Sequence, residues 1–137
     1  MQFGVRYTRE VDMEVIRSHE VKELKNSGVV SAQLLFPENS ISKRVTVTKV
    51  TMPPGSINPR HSHESSEQVW ASLQGCGCLL LAGDKELEFN AGDVVRFSEG
   101  EIHGFRNTGD VDFVYISVTS PPVNFSEAYE KDWSINI

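Results

Sequence analysis

Apolar and β-branched residues along this chain alternate with polar ones in short runs, and Gly, Pro, Asn and Asp break the runs at close intervals. That rhythm predicts an all-β sandwich or barrel with little helix. Residues 29–36 and 43–52 read as the first two long strands. The second carries Val45-Thr46-Val47-Thr48-Lys49-Val50, whose β-branched members suit a pleated, half-buried surface. Pro53-Pro54-Gly55 ends it, because proline cannot donate to a ladder and Pro-Gly favours a tight turn. Residues 67–73, 78–81, 85–89, 93–97, 102–106 and 112–118 follow as further strands, with turns at Ala82-Gly83-Asp84 and Asn90-Ala91-Gly92. Pro121-Pro122 closes the regular pattern, for roughly eight strands in all.

Two flanks fall outside this rhythm. Ser18 is placed to cap a short helix over 20–25, and Ser126 to cap one or two helical turns. The expected organisation is one domain spanning 1–137: an arm over 1–28, a barrel core over 29–120 and a tail over 121–137. No repeat or low-complexity stretch interrupts it, so the flanks read as packing or dimer-contact elements. At 137 residues, 39% hydrophobic and 23% charged, the chain is long enough for one core. Its net charge of -6 is scattered, which argues against a nucleic-acid partner. No apolar run approaches the roughly 20 residues of a membrane span, and the start lacks the apolar core of a secretion signal, so the expected compartment is the cytoplasm. Cys76 and Cys78, one residue apart, are poorly placed for a disulfide and read as reduced strand residues.

The chemistry concentrates in the histidines. His61, His63 and His103 fall in two short windows, with Glu67 just after the first, while His19 lies apart. Side chains alternate faces along an extended backbone, so positions 61, 63 and 67 share a face if one strand runs through them. A neighbouring strand would then add His103. Such nitrogen and oxygen donors suit one divalent transition-metal ion, namely Fe, Mn, Ni, Co, Cu or Zn; Ca and Mg prefer an oxygen shell. Binding needs neutral imidazoles, so affinity is expected to fall as pH drops through about 6.5. The same parity points Val69 and Ala71 inward, with Phe105 added from His103, as the substrate-binding floor. It sends Gln68, Trp70 and Arg106 away, and it aims Val114, Ile116 and Val118 inward with Tyr115 outward. The predicted floor is apolar.

His-x-His alone is a weak signal, but its surroundings resemble both motifs of the cupin family. The first reads Gly55, five residues, His61-x-His63, three residues, Glu67, then Gly75; the second reads Gly92, five residues, Ser98-x-Gly100, two residues, His103, three residues, Asn107. The likeness covers roughly 44–118. Gly75 comes one residue later than the family pattern has it, and Ser98 stands where proline is usual. The resemblance implies a double-stranded β-helix, a jelly-roll-like conical barrel of two packed sheets, with short helical or extended flanks and a metal near its open end. It also implies a homodimer. Asn107 is read as bracing a loop through backbone hydrogen bonds.

Three functions remain open at this level. An apolar pocket over an open metal ion suits a dioxygenase-like oxidoreductase. A metal-dependent isomerase, lyase or decarboxylase acting on a small sugar or organic acid needs a more polar lining. The third is a small-ligand-binding barrel without turnover, or one whose metal is structural. In each of the first two the partner is a small molecule. Arg60 and Arg96 are the basic side chains nearest the histidines and read as solvated; either one turned into the barrel mouth would favour the acid.

Overall fold

The computed structural model describes residues 13–133, which form ten strands joined by short connections. These are β1 (Lys22–Asn26), β2 (Val29–Leu35), β3 (Thr46–Met52), β4 (Ile57–His61), β5 (Glu67–Gln74), β6 (Cys76–Leu80), β7 (Glu86–Asn90), β8 (Val94–Phe97), β9 (His103–Arg106) and β10 (Phe113–Ser120). A six-stranded sheet runs β1-β2-β3-β10-β5-β8 and faces a four-stranded sheet ordered β4-β9-β6-β7. Every pairing is antiparallel. The expected all-β double-stranded β-helix is therefore the observed fold. Residues 1–12 of the predicted arm and 134–137 of the predicted tail lie outside the described residues.

β1 stands where a capped helix was expected. Ser27 and Gly28 both take positive φ, 50° and 85°, which makes the two-residue turn that matches strand twist and folds Lys22–Asn26 back onto β2. Only Ser18–Glu20 coils, as one 3-10 turn without a side-chain cap. In the tail, one 3-10 turn, Ala128–Glu130, follows Glu127; Ser126 does not cap it and instead bonds Asn124 Oδ1. β4 was also unexpected, because it contains Pro59. It lies at the edge of its sheet, where a missing N–H costs no ladder bond.

The interior holds an aromatic core in which Trp70, Phe89, Phe97, Phe105, Phe113 and Tyr115 are all buried. Phe105 stacks on Phe113 at 4.0 Å between ring centroids. This packing reverses two expected alternations. On β5, Gln68, Trp70 and Ser72 are buried; on β10, Phe113, Tyr115, Ser117 and Thr119 are buried, while Val114, Ile116 and Val118 form a half-buried outer row. Parity could not run from His63 into β5 because a turn over 62–66 separates the strands. On β10 both faces carry apolar residues, and the larger aromatic rings win the interior, where more area leaves water.

β4 and β9 approach closely because Gly104 has no side chain. A Cβ there would stand 2.6 Å from the Asn58 carbonyl oxygen and 2.9 Å from the Pro59 carbonyl carbon, so the strands would have to part. Gly77 is equally confined, between the Arg106 carbonyl and the Phe105 ring. Gly104→Ala is expected to lower unfolding free energy by about 1–3 kcal/mol in urea titrations and to weaken divalent-metal binding, since it displaces the neighbouring His103. An unchanged midpoint and unchanged metal affinity would contradict this close approach.

Candidate metal centre

Three separate devices bring the histidines together. β4 ends on His61 and β9 begins on His103, and the two are register partners across the edge of the smaller sheet. His63 lies beyond the strand end, where the Gly100 N–H donates to its carbonyl at 2.9 Å and ties this loop to the β8–β9 turn. Ring centroids lie 4.4 Å apart for His61 and His103, 5.0 Å for His61 and His63, and 5.2 Å for His63 and His103. Their candidate ligand atoms all fall within 4.8 Å of one another, so the three histidines are positioned to bind a metal ion.

The surrounding hydrogen bonds prepare the rings for that role. Carbonyl oxygens only accept, so the contacts His61 Nδ1 to Pro59 O (2.6 Å) and His103 Nδ1 to Glu101 O (2.9 Å) place the ring proton on Nδ1. That leaves Nε2 as the free lone pair, which is the usual outer-shell arrangement for a ligating histidine. Nε2 of His63 and of His103 is buried and bonded by no protein group among the described residues. Phe97 stacks on His103 at 4.2 Å, Trp70 meets it edge-on, and Phe125 meets His63 edge-on. The resulting desolvation lowers the His61 pKa, assisted by Lys131 and opposed by the Pro59 hydrogen bond. It pushes His63 down to about 4, with His61 adding repulsion, and His103 to about 3. All three are thus neutral at pH 7, the state a metal requires.

Other expected residues are placed differently. Glu67 opens β5 on the outer face, exposed, with its carboxylate 3.3 Å from Arg96 Nη1, and it stands outside the histidine cluster. The physical reason is the turn over 62–66, which resets the side-chain alternation. The inward neighbour is Gln68, buried, whose Oε1 accepts from Trp70 Nε1 and whose Nε2 donates to Thr119 Oγ1, both at 2.8 Å. Val69 and Ala71 share the outer face with Glu67 and do not line the cavity; Phe105 does face inward but is spent in the aromatic core. The cavity beside the histidines, about 450 Å³, is walled by Asn58, Gln68, Tyr115 and Ser117 among others. Arg60 also lines it, although its Nε is held by the Leu81 carbonyl at 2.9 Å. Arg96 stays outside with Glu67.

The remaining wall comes from the tail, which the sequence pattern suggested only as a packing or dimer-contact element. Phe125, Tyr129, Lys131 and Trp133 border the cavity, and the Asn26 amide pins them by donating to the Tyr129 carbonyl (3.0 Å) and the Lys131 carbonyl (2.7 Å). The Phe, Tyr and Trp of an otherwise polar tail were the available signal. Asn107 behaves as expected: its amide donates to the carbonyls of Met52 and Val111, and its Oδ1 accepts from Gly109 N. Cys76 and Cys78 are free thiols.

His61→Ala or His103→Ala is expected to weaken Co(II) or Zn(II) binding by more than ~100-fold in calorimetric titration, beyond what losing an outer-shell partner costs. Glu67→Ala should leave it unchanged; an equal loss there would restore Glu67 to the site. The pH dependence follows from the lowered pKa values. Imidazoles of the unfolded chain protonate near 6.5, whereas in the folded protein His63 protonates only near 4 and His103 near 3, with His61 also lowered. The unfolded state therefore takes up protons first as pH falls. Metal-free protein should be at full stability above about pH 6.5 and lose it progressively toward 4, read as falling urea midpoints. Metal affinity of the folded protein should stay nearly flat from pH 7 to 5; a drop centred near 6.5 would mean solvated rings.

Comparison with known proteins agrees with this architecture. The model of the cupin domain matches residues 48–119. The chain is 32% identical over 111 residues to the oxalate-binding protein of Thermotoga maritima, covering 76% of this chain and 91% of that protein. A crystal structure from T. maritima described as a predicted oxalate decarboxylase superposes with a TM-score of 0.67 at 30% identity, covering 78% of this chain and 98% of that one. KdgF from Halomonas sp. shares the fold at 18% identity and a TM-score of 0.66, over 78% and 94% of the two chains. With a matching domain model over the barrel and three histidines gathered within it, this chain belongs to the cupin family.

Proposed function

We propose that this protein binds a small organic acid at one divalent transition-metal ion held by His61, His63 and His103. The observation that carries the reading is the makeup of the ligand group: three neutral imidazoles and, among the described residues, no carboxylate. A divalent ion held only by neutral donors keeps its full double charge, and inside a partly desolvated cavity that charge favours an anionic ligand. When bound, such an ion polarises a carboxylate or an adjacent oxygen, the Lewis-acid contribution common to isomerases, lyases and decarboxylases. Lys131 adds positive charge to the cavity wall, as does Arg60, whose Nη1 also lies 4.0 Å from Asp84, and Glu127 is the acid in that wall. Asn58, Gln68 and Tyr115 supply neutral hydrogen-bonding groups that would orient the ligand.

The likeness to an oxalate-binding protein supports the same class of ligand. The dioxygenase reading drew its support from an apolar floor of Val69, Ala71 and Phe105; the first two face outward and Phe105 lies in the core, while Val50, Trp70, Phe125 and Trp133 give the cavity its apolar wall. Isothermal titration of Mn(II)-, Co(II)- and Zn(II)-loaded protein with oxalate, lactate and a neutral polyol such as glycerol tests the proposal. Acids are expected to bind only when metal is present and to lose affinity in His61→Ala. Binding of glycerol as tight as that of the acids, or no binding of any acid at any metal, overturns it. Oxygen uptake with Fe(II) on 1,3-diketones faster than free metal would reinstate the dioxygenase.

A homodimer belongs to this proposal. The outer row of Val114, Ile116 and Val118 lies beside Val69 and Ala71 of β5 through the β10–β5 register, making an apolar sheet face that a second copy can cover symmetrically. Ile116→Lys is expected to convert sedimentation from twice the 15.3 kDa chain mass to one chain mass. Monomeric wild-type protein would refute this arrangement.

A further inference from the structure

The tail that walls the cavity belongs to neither sheet. Beyond the end of β10 the described residues form no strand, and one 3-10 turn, Ala128–Glu130, is their regular structure. Two sets of hydrogen bonds hold this segment to the barrel. At its start, Ser66 Oγ donates to the Pro121 carbonyl at 2.8 Å, Thr46 Oγ1 exchanges bonds with Val123, and the Asn124 amide donates to Glu38 Oε2 at 2.9 Å. Further along, the Asn26 amide donates to the carbonyls of Tyr129 and Lys131. Residues 125–133 also bond to one another, through Tyr129 N to the Phe125 carbonyl (3.2 Å), Trp133 Nε1 to the Ala128 carbonyl (3.0 Å) and a ring contact of Tyr129 with Trp133 at 4.8 Å. They can therefore move as one body about Asn124. Apolar contact seats that body as well, since Trp133 belongs to the core cluster and Tyr129 packs against it, so the closed arrangement is the resting one.

Nε2 of His63 and of His103, the lone pairs left for a metal ion, are closed to water. A hydrated divalent ion exchanges its water for these nitrogens, so it needs an entry path that the closed arrangement does not offer. Three aromatic rings crowd the two imidazoles. Phe97 and Trp70 lie against His103, and both stand on strands, β8 and β5, that are bonded into the six-stranded sheet. Freeing either one breaks ladder bonds. Phe125 lies against His63 with 5.5 Å between ring centroids, and its segment has no strand pairing to lose. Segments with few backbone bonds to their surroundings open most readily, which singles out the tail.

Asn26 has the placement of a latch. It ends β1 at the edge of its sheet, half-buried, beside the Ser27–Gly28 turn. The Ser27 hydroxyl donates to its Oδ1 at 2.9 Å, which turns the amide nitrogen toward the tail, and both N–H groups are then spent on carbonyls two residues apart. One side chain thus satisfies two tail carbonyls, and water can take its place when it lets go. We propose that residues 125–133 form a strap that opens about Asn124 to admit a divalent metal ion to His61, His63 and His103, and that Asn26 is the positioning residue that latches it shut. The proposal rests on the metal centre described above and adds how the ion reaches it.

Stopped-flow mixing of metal-free protein with Co(II), and of Co(II)-loaded protein with excess EDTA, tests it. A latch sets how often the strap is open, so Asn26→Ala is expected to raise the association and dissociation rates together, by about three- to tenfold for the hydrogen bonding lost, and to change the Kd by less than about twofold. Asn26→Asp, of equal size, cannot donate to either carbonyl and should speed both rates at least as much. Phe125→Ala, which removes the cover itself, should speed entry with the latch intact, and adding Asn26→Ala to it should bring little further gain. In metal-free protein, hydrogen exchange at the Tyr129 and Lys131 amides should quicken in Asn26→Ala while that of β5 and β10 stays unchanged. A merely structural role for Asn26 would loosen the site and weaken the Kd without hastening association. That outcome, or association unchanged in both Asn26 variants, overturns the strap and leaves the metal centre standing. Failure of the wild-type protein to bind Co(II) overturns both.

Discussion

The pairing of β4 with β9 is the constraint on which the chemistry of this barrel depends. Its register sets His61 opposite His103, and Gly104 lets the two backbones approach to where any side chain would collide with Asn58 and Pro59. The pair also supplies its own outer shell, since the carbonyls of Pro59 and Glu101 fix the ring protons on Nδ1. A shift of this register would turn one imidazole out of the site and detach its carbonyl partner, so geometry and tautomer stand or fall together.

Packing converts that geometry into chemistry. Phe97, Trp70 and Phe125 strip water from the imidazoles, and desolvation disfavours the imidazolium form. The site is thereby held ready for a cation at physiological pH. Because Glu67 is drawn outward to Arg96 and no carboxylate of the described residues joins the three histidines, the charge of a bound cation would be left for a ligand to balance. The inward position goes to Gln68, whose amide is locked between Trp70 and Thr119 and adds polarity without charge.

The chain termini of the barrel complete the cavity. β1, built on the Ser27–Gly28 turn, carries Asn26 to the carbonyls of Tyr129 and Lys131. Val123 is fastened to Thr46 by a reciprocal pair in which the Thr46 hydroxyl donates to the Val123 carbonyl and accepts from the Val123 N–H. The tail is thus a wall fixed at several points, and it places Phe125 against the His63 ring.

The sequence by itself determined the class of fold and picked out the three histidines that are positioned to bind a metal ion, though it grouped Glu67 with them. Short alternating runs separated by turn residues permit few architectures besides a β-barrel, and three histidines at motif spacing leave little choice of chemistry. It did not determine which way β5 and β10 face. Alternation is a relative signal that a single turn resets, and the turn over 62–66 exchanged Glu67, Val69 and Ala71 for Gln68, Trp70 and Ser72. On β10 both parities were apolar enough to be buried, and only the competition for interior volume chose Phe113, Tyr115 and Ser117. The Asn26 contact with the tail was invisible for a related reason: its partners, the carbonyls of Tyr129 and Lys131, lie 103 and 105 residues along the chain, and only the folded barrel brings them to it. The three clustered histidines were local enough to read; the lining of the cavity beside them was decided by tertiary packing.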